Sequence, residues 1–194
     1  PDWVHCEGIT KLTLEDVAYA ESWGGAVKLI GSVKRLDDGR ILPMVAPRFV
    51  CSGNQLSHID DVFNGIMVYG DGFDEVMFYG RGAGKLPTAS AVLGDVIDCA
   101  KHHSTVLSQM WEDSADNSFI ADYKDDTVAM YVRVKGADKA DITKLFGDVE
   151  FITRDAQPAD ELAFITPAQK EKETDEKLAS LGDKVLGKIR VLDM

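Results

Sequence analysis

A glycine-rich stretch contains the residues of this chain that are best suited to binding a ligand. The segment "FYGRGAGKLPTAS" runs from Phe78 to Ser90 and places glycines at 80, 82 and 84, directly before a lysine. Strand-like aromatic residues precede the glycines, and the residues after them have a helical pattern. Because the first N–H groups of a helix have no partner within the helix, a strand, glycine loop and helix in this order can hold a phosphate group.

Neither common phosphate-binding motif is complete in this stretch. A Walker A loop needs Ser or Thr after its Gly-Lys pair, and Leu86 follows Lys85 here. A dinucleotide fingerprint needs a third glycine in GxGxxG. Counted from Gly80 that place holds Lys85, and counted from Gly82 it holds Pro87. The glycines still permit close approach of the backbone to a ligand, so a cofactor site and a plain strand-to-helix connection both remain open.

Three side chains near the end of the same helix have a spacing that metal sites use. Cys99, His102 and His103 stand at i, i+3 and i+4, so the cysteine can share a helix face with either histidine. A structural zinc site needs four ligands, and a fourth residue with suitable spacing is missing. Histidines at a helix C-terminus are also stabilised by the helix dipole. The sequence therefore predicts no metal site.

The remaining candidates for acid–base chemistry are adjacent carboxylates, which are typical of turns and solvated faces. The pairs are Asp37-Asp38, Asp60-Asp61 and Asp125-Asp126. Their spacing nominates no general acid and base. The sequence contains neither a GxSxG elbow nor a cysteine with a nucleophile pattern. The residue pattern therefore assigns no catalytic residue.

The composition excludes several classes of partner. The chain has 194 residues, of which 45% are hydrophobic, and its formal net charge is -12. Binding a nucleic acid needs clustered Lys and Arg side chains that neutralise phosphates, so we expect no nucleic-acid partner. No apolar run reaches the roughly 18 residues that a membrane span requires, so we expect no membrane partner.

The cysteines and the first residues bear on location and completeness. Cys6, Cys51 and Cys99 are odd in number and form no CxxC pair, which is typical of a reducing compartment. The opening residues "PDWVHCEGIT" have no signal-peptide pattern, and we expect a cytoplasmic protein. They also lack an initiator Met, as a fragment or a processed product would.

The residues before the glycine loop predict one helix and two hairpins. The segment "TLEDVAYAESWGG" predicts a helix whose start is a capping box of Thr13 and Asp16. Alternating residues on both sides of "DDGR" predict a hairpin. Its second strand contains Pro43 and Pro47, so we expect that strand to lie partly at a sheet edge or to be irregular. Two further strands flank the turn signal "DG" after Gly70.

The glycine loop leads into a helix with one apolar face, which we place at 88–103. Its apolar residues fall at helical spacing: Ala89, Val92, Leu93, Val96, Ile97 and Ala100. After a polar zone, the order strand, helix, strand, strand, helix, strand is the split βαβ of ferredoxin-like domains. The sequence thus predicts an α+β fold. It consists of a mixed sheet with helices on one face, followed by a small ferredoxin-like βαββαβ domain.

The segments "EGITKLTLEDVAYAESWGGAVKLIG", "PRFVCSGNQLSHIDDVFNGIMVYGD" and "FYGRGAGKLPTASAVLGDVID" together resemble one enzyme family, the homoserine dehydrogenases. The third segment is the most specific and is similar nearly continuously from Phe78 to Asp98. Beyond about His103 the chain resembles, more loosely, the ACT regulatory domain that many bacterial members carry. The resemblance covers essentially the whole chain.

The resemblance implies an NAD(P)-dependent oxidoreductase that interconverts aspartate 4-semialdehyde and L-homoserine on the route to threonine and methionine. It implies that the loop at Gly82, Ala83 and Gly84 and the helix from Thr88 contact NADP or NAD. The family's GxGxxG unit, its substrate-binding acidic residues and its catalytic lysine would lie before Pro1. No catalytic residue is therefore assigned in this chain, and we expect the chain alone to be inactive.

The resemblance divides the chain into three parts. Residues 1–112 correspond to the substrate and dimerisation region with the last helix of the nucleotide domain, 113–126 to a linker, and 127–194 to an ACT-like domain. Without a nucleotide domain, the apolar face of helix 88–103 needs another cover. We therefore expect a homo-oligomer, formed through a homodimer or a domain-swapped contact at this face.

The tail leaves two functions open. ACT domains usually carry a glycine in the turn after their first strand, where an amino-acid ligand approaches the backbone. In "GADKADI" we expect Ala140 and Asp141 in that turn, where a side chain and a negative charge would crowd a ligand carboxylate. Threonine as an effector and a structural or pairing role both remain open. For the whole chain the alternative is a non-catalytic ACT-type amino-acid-binding regulatory module.

Overall fold

The computed structural model describes residues 3–103 and 116–192, which form two compact units. The first unit contains the described residues 3–57 and 116–192, and the second contains 58–103. The elements are β1 (His5–Cys6), α1 (Leu14–Ser22), β2 (Gly25–Arg35), β3 (Ile41–Cys51), β4 (Phe63–Gly70), β5 (Asp74–Arg81), α2 (Lys85–Lys101), β6 (Thr127–Val128), β7 (Met130–Lys135), α3 (Lys139–Phe146), β8 (Glu150–Ile152), β9 (Glu161–Ile165), β10 (Gln169–Lys170), α4 (Glu171–Leu181) and β11 (Val185–Val191).

The first helix, α1, begins at Leu14 because Thr13 caps it. The Thr13 hydroxyl accepts the Asp16 N–H at 3.4 Å, and the Asp16 carboxylate accepts the Thr13 N–H at 3.0 Å. This reciprocal pair is the capping box that the sequence predicts. The helix ends before Gly24, whose φ of 82° is a left-handed conformation that glycine adopts without strain.

The first predicted hairpin is formed by β2 and β3, which pair antiparallel from Gly25↔Cys51 to Arg35↔Ile41. β3 is an inner strand, but its pairing is interrupted on one side, so the expectation that it lies partly at an edge or is irregular holds only around Pro47. β2 covers one side of β3 along its whole length, and β1 and β11 both pair with the other side. β2 is an edge strand instead, since within the described ranges it pairs with β3 alone.

The first unit is built on one seven-stranded mixed sheet in the order β1-β3-β11-β7-β9-β8, with β2 also paired to β3. β11 joins the two regions, because it runs parallel to β3 at Arg190↔Arg48 and antiparallel to β7 at Ile189↔Tyr131. The order β7-α3-β8-β9-α4-β11 is the predicted βαββαβ sequence of elements. The predicted α+β class with a mixed sheet is confirmed.

Helices cover both faces of this sheet. α1 packs on one face through Tyr19 and Ala20, and α3 and α4 pack on the opposite face through Ile142, Phe146 and Leu178. The strand residues in contact with them alternate along β7, as side chains of a strand must. Those on the α1 side include Phe49, Tyr131 and Ile189, and those on the α3–α4 side include Met130, Val132, Val134 and Phe164.

The turn after β7 differs from the expectation. α3 begins at Lys139, so Ala140 and Asp141 lie in the first turn of this helix, and their predicted place in the loop is wrong. Gly136 occupies the turn with a φ of 67°. The physical reason is that Asp138 is already the N-cap residue of α3, which leaves a connection too short to include positions 140 and 141.

The second unit consists of the second predicted hairpin and α2. β4 and β5 pair antiparallel from Phe63↔Arg81 to Gly70↔Asp74. α2 starts three residues earlier than the predicted 88, because a proline such as Pro87 is tolerated within the first turn of a helix. The helix ends at Lys101. None of the residues of α2 is buried. No described helix is both long enough and apolar enough to cross a membrane.

The division into 1–112, 113–126 and 127–194 stays a prediction, and its boundary zone begins in residues 104–115, which lie outside the described ranges. The described part of the expected linker contacts β3. Ile41 N–H donates to the Phe119 C=O at 2.8 Å, and Ala121 N–H donates to the Ile41 C=O at 2.9 Å. These residues are therefore attached to the sheet of the first unit.

Candidate functional site

The glycine loop connects β5 to α2, and Gly82 in this loop packs closely against β4. β5 ends at Arg81, and Gly82 lies against the side chain of Asn64 on β4. A Cβ added at Gly82 would lie 2.7 Å from Asn64 Cγ, which is closer than real Cβ contacts. Because Asn64 is exposed and the close atoms belong to its side chain, a residue larger than glycine at position 82 would displace the Asn64 side chain.

Gly84 is required by its backbone conformation. It is the N-cap residue of α2, with a φ of 119° and a ψ of 157°, a region that residues with a Cβ rarely adopt. Its C=O accepts the Thr88 N–H at 3.1 Å, which is the first hydrogen bond of the helix. Gly84 thus turns the chain from strand into helix.

The N-terminal end of α2 has a positive potential. Its first turn contains no acidic residue, and Gly84 offers no side-chain cap. Since Pro87 has no N–H, the helix end presents the N–H groups of Lys85 and Leu86. The helix dipole and the Lys85 ammonium group add positive charge at the same end. This arrangement suits an anionic group such as a phosphate.

The structure brings two of the four predicted cofactor residues to one surface. Gly84 and Thr88 line a shallow depression of about 650 Å³, together with Lys85. Gly82 and Ala83 precede the depression in the chain and are not part of its lining. The remaining lining residues form the apolar face of α2: Ala89, Val92, Leu93 and Val96. The depression therefore has a polar end at the loop and an apolar floor along the helix.

The other sequence candidates form local contacts. His102 Nδ1 lies 3.0 Å from a carboxylate oxygen of Asp98 at the exposed end of α2. Among the residues that the structure describes, no three His, Cys, Asp or Glu side chains could hold a metal ion. Of the adjacent carboxylates, Asp126 accepts the Lys34 ammonium at 3.0 Å, which is an ordinary ion pair.

A buried ion network on the α1 face of the sheet was missed by the sequence reasoning. Arg133 donates to Asp16 at 2.9 Å and to Glu161 at 3.2 Å. Tyr19 donates to Glu161 at 2.9 Å, and Tyr131 donates to Asp16 at 3.0 Å. Burial raises the pKa of Tyr19 to about 12, with the hydrogen bond and charge of Glu161 acting in the same direction. Both carboxylates face a guanidinium group, so the network ties α1 to the sheet. One feature of the sequence could have predicted the network: Arg133 is a charged residue on the inward face of a strand.

A second network joins β11 to the N-terminal segment. Arg190 donates to Glu171 and to Glu7, each at 2.7 Å. His5 stacks on Tyr123 with ring centroids 3.7 Å apart, and its Nε2 lies 3.5 Å from Glu7. Burial raises the pKa of Glu7, but the hydrogen bonds and charges of Arg190 and His5 outweigh burial and lower it. Glu7 is therefore ionised at neutral pH.

Comparison with known proteins identifies one family. The family profile of homoserine dehydrogenases matches residues 1–97. The chain is 43% identical to the homoserine dehydrogenase of Synechocystis sp. over 98 residues, which are 49% of this chain and 23% of that protein. It is 30% identical to the homoserine dehydrogenase of Corynebacterium glutamicum over 155 residues, which are 76% of this chain and 35% of that protein.

Solved structures agree in fold. The crystal structure of a homoserine dehydrogenase from Thiobacillus denitrificans has a TM-score of 0.79 at 28% identity, and the match covers 99% of this chain and 48% of that chain. A homoserine dehydrogenase from S. aureus has a TM-score of 0.74 at 24% identity, a likeness that shows the fold alone. This chain thus spans about half the length of these structures. Because the profile covers half of the chain and includes the glycine loop, the chain belongs to the homoserine dehydrogenase family.

Proposed function

We propose that this chain is the C-terminal part of an NAD(P)-dependent oxidoreductase that interconverts aspartate 4-semialdehyde and L-homoserine, on the route to threonine and methionine. Family membership supports this reaction class. The observation that carries the proposal is the glycine loop. It lies within the matched residues 1–97, and the backbone conformation at Gly84, with a φ of 119°, requires a glycine.

In this proposal a site for NADP or NAD has two parts, of which the nucleotide unit supplies the first. The second part consists of Gly82, Ala83, Gly84 and Thr88. The cofactor supplies the hydride chemistry. A Cβ added at Gly84 would have Pro87 as its only neighbour, at 3.6 Å, so a side chain there would extend into free space beside the helix end. The residues present therefore fit a bound group. Their part is to bind it: the backbone N–H groups at the start of α2 donate to a phosphate, and Gly84 allows the close approach.

Gly84→Ala, made in the enzyme that contains this chain, tests the cofactor site. The added methyl group strains the backbone and occupies the approach to the helix end, so the KM for NADP or NAD should rise about tenfold. The KM for homoserine should change little. Gly94→Ala is the matched control, because it lies on the same helix and a Cβ there meets no atom within 4 Å. Equal cofactor KM values in the two variants would contradict the proposed contact.

The 194-residue chain by itself is proposed to be inactive, because the family's nucleotide unit and catalytic lysine lie outside it. The purified chain should show no homoserine-dependent reduction of NADP or NAD. Extending it with the upstream region should restore activity. Turnover by the chain alone would refute this part of the proposal.

Residues 127–194 are proposed to form an ACT-like regulatory domain, with threonine as the effector. Their βαββαβ order and the left-handed Gly136 in the turn after β7 support an amino-acid ligand. The second candidate function, a non-catalytic amino-acid-binding module, rests on the same two observations. Calorimetric titration with threonine separates these from a structural or pairing role, since saturable heat supports an effector and its absence supports pairing.

For the 194-residue chain without a nucleotide domain, a homo-oligomer is proposed because α2 exposes its apolar face. Val92, Leu93 and Val96 are 58%, 60% and 57% exposed. Each large aliphatic side chain gains about 1.5–3 kcal/mol on full burial, so a second copy on this face would be stabilised. Val96→Lys should shift sedimentation toward the monomer at micromolar concentration, and Asp95→Lys on the same helix should not. A wild-type monomer at that concentration would contradict the proposal.

A further inference from the structure

A cleft in the first unit opens along the N-terminal half of β11, and none of the residues assigned to the proposed cofactor site lines it. Its volume is about 330 Å³, near the lower end of the range of about 300–1,000 Å³ for small-molecule sites. Its walls are β11 at 185–189, the segment 7–12, and α4 at Leu178 and Ala179. We name it the β11 cleft.

The cleft exists because the pairing of β11 with β3 stops at Arg190. Their parallel register contains two residue pairs, and Arg190 is in the first of them. The next donor along β3 would be Pro47, which has no N–H. The next acceptor, the C=O of Val45, already accepts the Glu7 N–H at 2.7 Å. β11 therefore separates from β3 at this point, and Pro47 becomes part of the cleft lining.

Lys188 consequently presents its backbone to the cleft. Leu192 N–H donates to Phe49 on β3, and Val191 N–H donates to Ala129 beside β7, so the even-numbered residues of β11 face the β3 side. The N–H and C=O of Lys188 point to this side, where the described chain supplies no strand partner. An unpaired strand edge of this kind accepts a ligand that offers one donor and one acceptor.

The side chains around the cleft carry both signs of charge. Glu7 binds Arg190 and His5 through Oε2, which leaves Oε1 for a ligand, and its lowered pKa keeps it ionised. The exposed Lys11 supplies a positive charge at the rim. The apolar part of the lining consists of Leu12, Pro47, Leu178, Ala179, Val185, Leu186 and Ile189.

We propose that the β11 cleft binds one free α-amino acid with an aliphatic side chain. The ligand ammonium lies between the Lys188 C=O and Glu7, its carboxylate accepts the Lys188 N–H and faces Lys11, and its side chain packs on the apolar lining. A zwitterion matches the mixed charge, whereas a dianion would be repelled by Glu7 and by Asp175, which also lines the cleft. The small volume excludes an extended peptide. The cleft is a different place from the turn at Gly136, where the proposed effector would approach.

Calorimetric titration of L-valine into the purified protein tests the site. We expect saturable heat with one ligand per chain, and at least about tenfold weaker binding of glycine, which has no side chain to bury. Ala179→Trp places an indole at the mouth of the cleft from an exposed helix position and should abolish binding. Ser180→Trp is the matched control, since Ser180 is exposed on α4 and does not line the cleft.

Amide NMR shifts give a second measurement that does not depend on a variant. Adding L-valine should shift the Gly8, Gly187 and Lys188 amides, and isovalerate, which lacks the ammonium group, should bind at least about tenfold more weakly. Absence of saturable heat, equal binding to Ala179→Trp and Ser180→Trp, or shifts confined to Gly136 would each overturn the proposal. Because binding alone is measured, such a failure would leave the proposed dehydrogenase function untouched.

Discussion

The buried ion pair of Asp16 and Arg133 leads to a quantitative prediction for the free energy of unfolding of the first unit. The Asp16 side chain is 2% exposed and lies 2.9 Å from the Arg133 guanidinium. It also accepts hydrogen bonds at 3.0 Å from the Thr13 N–H, the Thr13 hydroxyl and the Tyr131 hydroxyl. Asp16→Asn keeps the shape of the side chain but removes its charge and turns one acceptor oxygen into a donor. Arg133 retains Glu161 at 3.2 Å, so the guanidinium is not left unpaired.

The expected loss follows from these contacts. Removing one partner of a buried ion pair costs about 3–5 kcal/mol, and losing an N-cap interaction costs about 0.5–2 kcal/mol. Because Glu161 still compensates Arg133, we take the lower end and expect a loss of about 3 kcal/mol in the free energy of unfolding. At about 2–4 °C per kcal/mol for a chain of this size, the melting temperature should fall by about 6–12 °C.

Urea unfolding followed by tryptophan fluorescence measures this loss, since Trp23 packs against Phe49 in the first unit with ring centroids 6.0 Å apart. Glu21→Gln is the matched control: it removes one negative charge from the exposed side of the same helix, and it should change stability by less than about 0.5 kcal/mol. Equal unfolding midpoints for the two variants would refute the argument that the buried pair stabilises this unit.

Three further predictions concern pH and the glycine loop. Burial raises the pKa of Glu161, but hydrogen bonds from Tyr19 and two arginines outweigh it and hold the pKa below the usual 4.5, so the stabilisation is present above pH 4.5 and is lost as the pH falls further. Glu161→Gln should reduce the loss of unfolding free energy that occurs as the pH falls below 4.5. Burial raises the pKa of Tyr19 from 10.0 to about 12, so its stabilisation is complete below pH 10 and is lost as the pH rises toward 12. Tyr19→Phe should reduce that slope, and Tyr131, whose pKa burial also raises, should account for the remainder. Gly82→Ala should lower the thermal stability of the second unit by about 0.5–1 kcal/mol, because the exposed Asn64 side chain must move aside, and this loss should be smaller in the Asn64→Gly background; a purely additive pair would contradict the clash.

Local patterns predicted most of the elements of this fold. The capping box at Thr13, the turn signals of both hairpins and the helical spacing after the glycine loop each depend on residues a few positions apart, and each is confirmed. The junction of β11 with β3 was not predictable in the same way. It pairs Arg190 with Arg48, and strand pairing between distant segments leaves no periodic signal in either one.

In the candidate site too, local features could be predicted from the sequence, and contacts between distant residues could not. That glycines at 82 and 84 allow an unusual backbone could be predicted from residue type alone, and the φ of 119° at Gly84 agrees. That Gly82 packs against Asn64 could not be predicted, because the contact crosses the hairpin. The β11 cleft could not be predicted from the sequence either. Its cause is the missing N–H of Pro47, which the sequence shows, but its position depends on which strand lies beside that proline.

The insertion of β11 beside β3 has a consequence for the order of folding during synthesis. Residues 41–51 leave the ribosome long before 185–191, so the β3 edge at Arg48 and Phe49 must wait unpaired while the intervening chain is made. Such an edge can recruit other strands, and pairing across a long loop is slow. A nascent or truncated chain that stops before Val185 therefore carries an open strand edge in its central sheet, and we expect it to aggregate or to require a chaperone until the last strand is added.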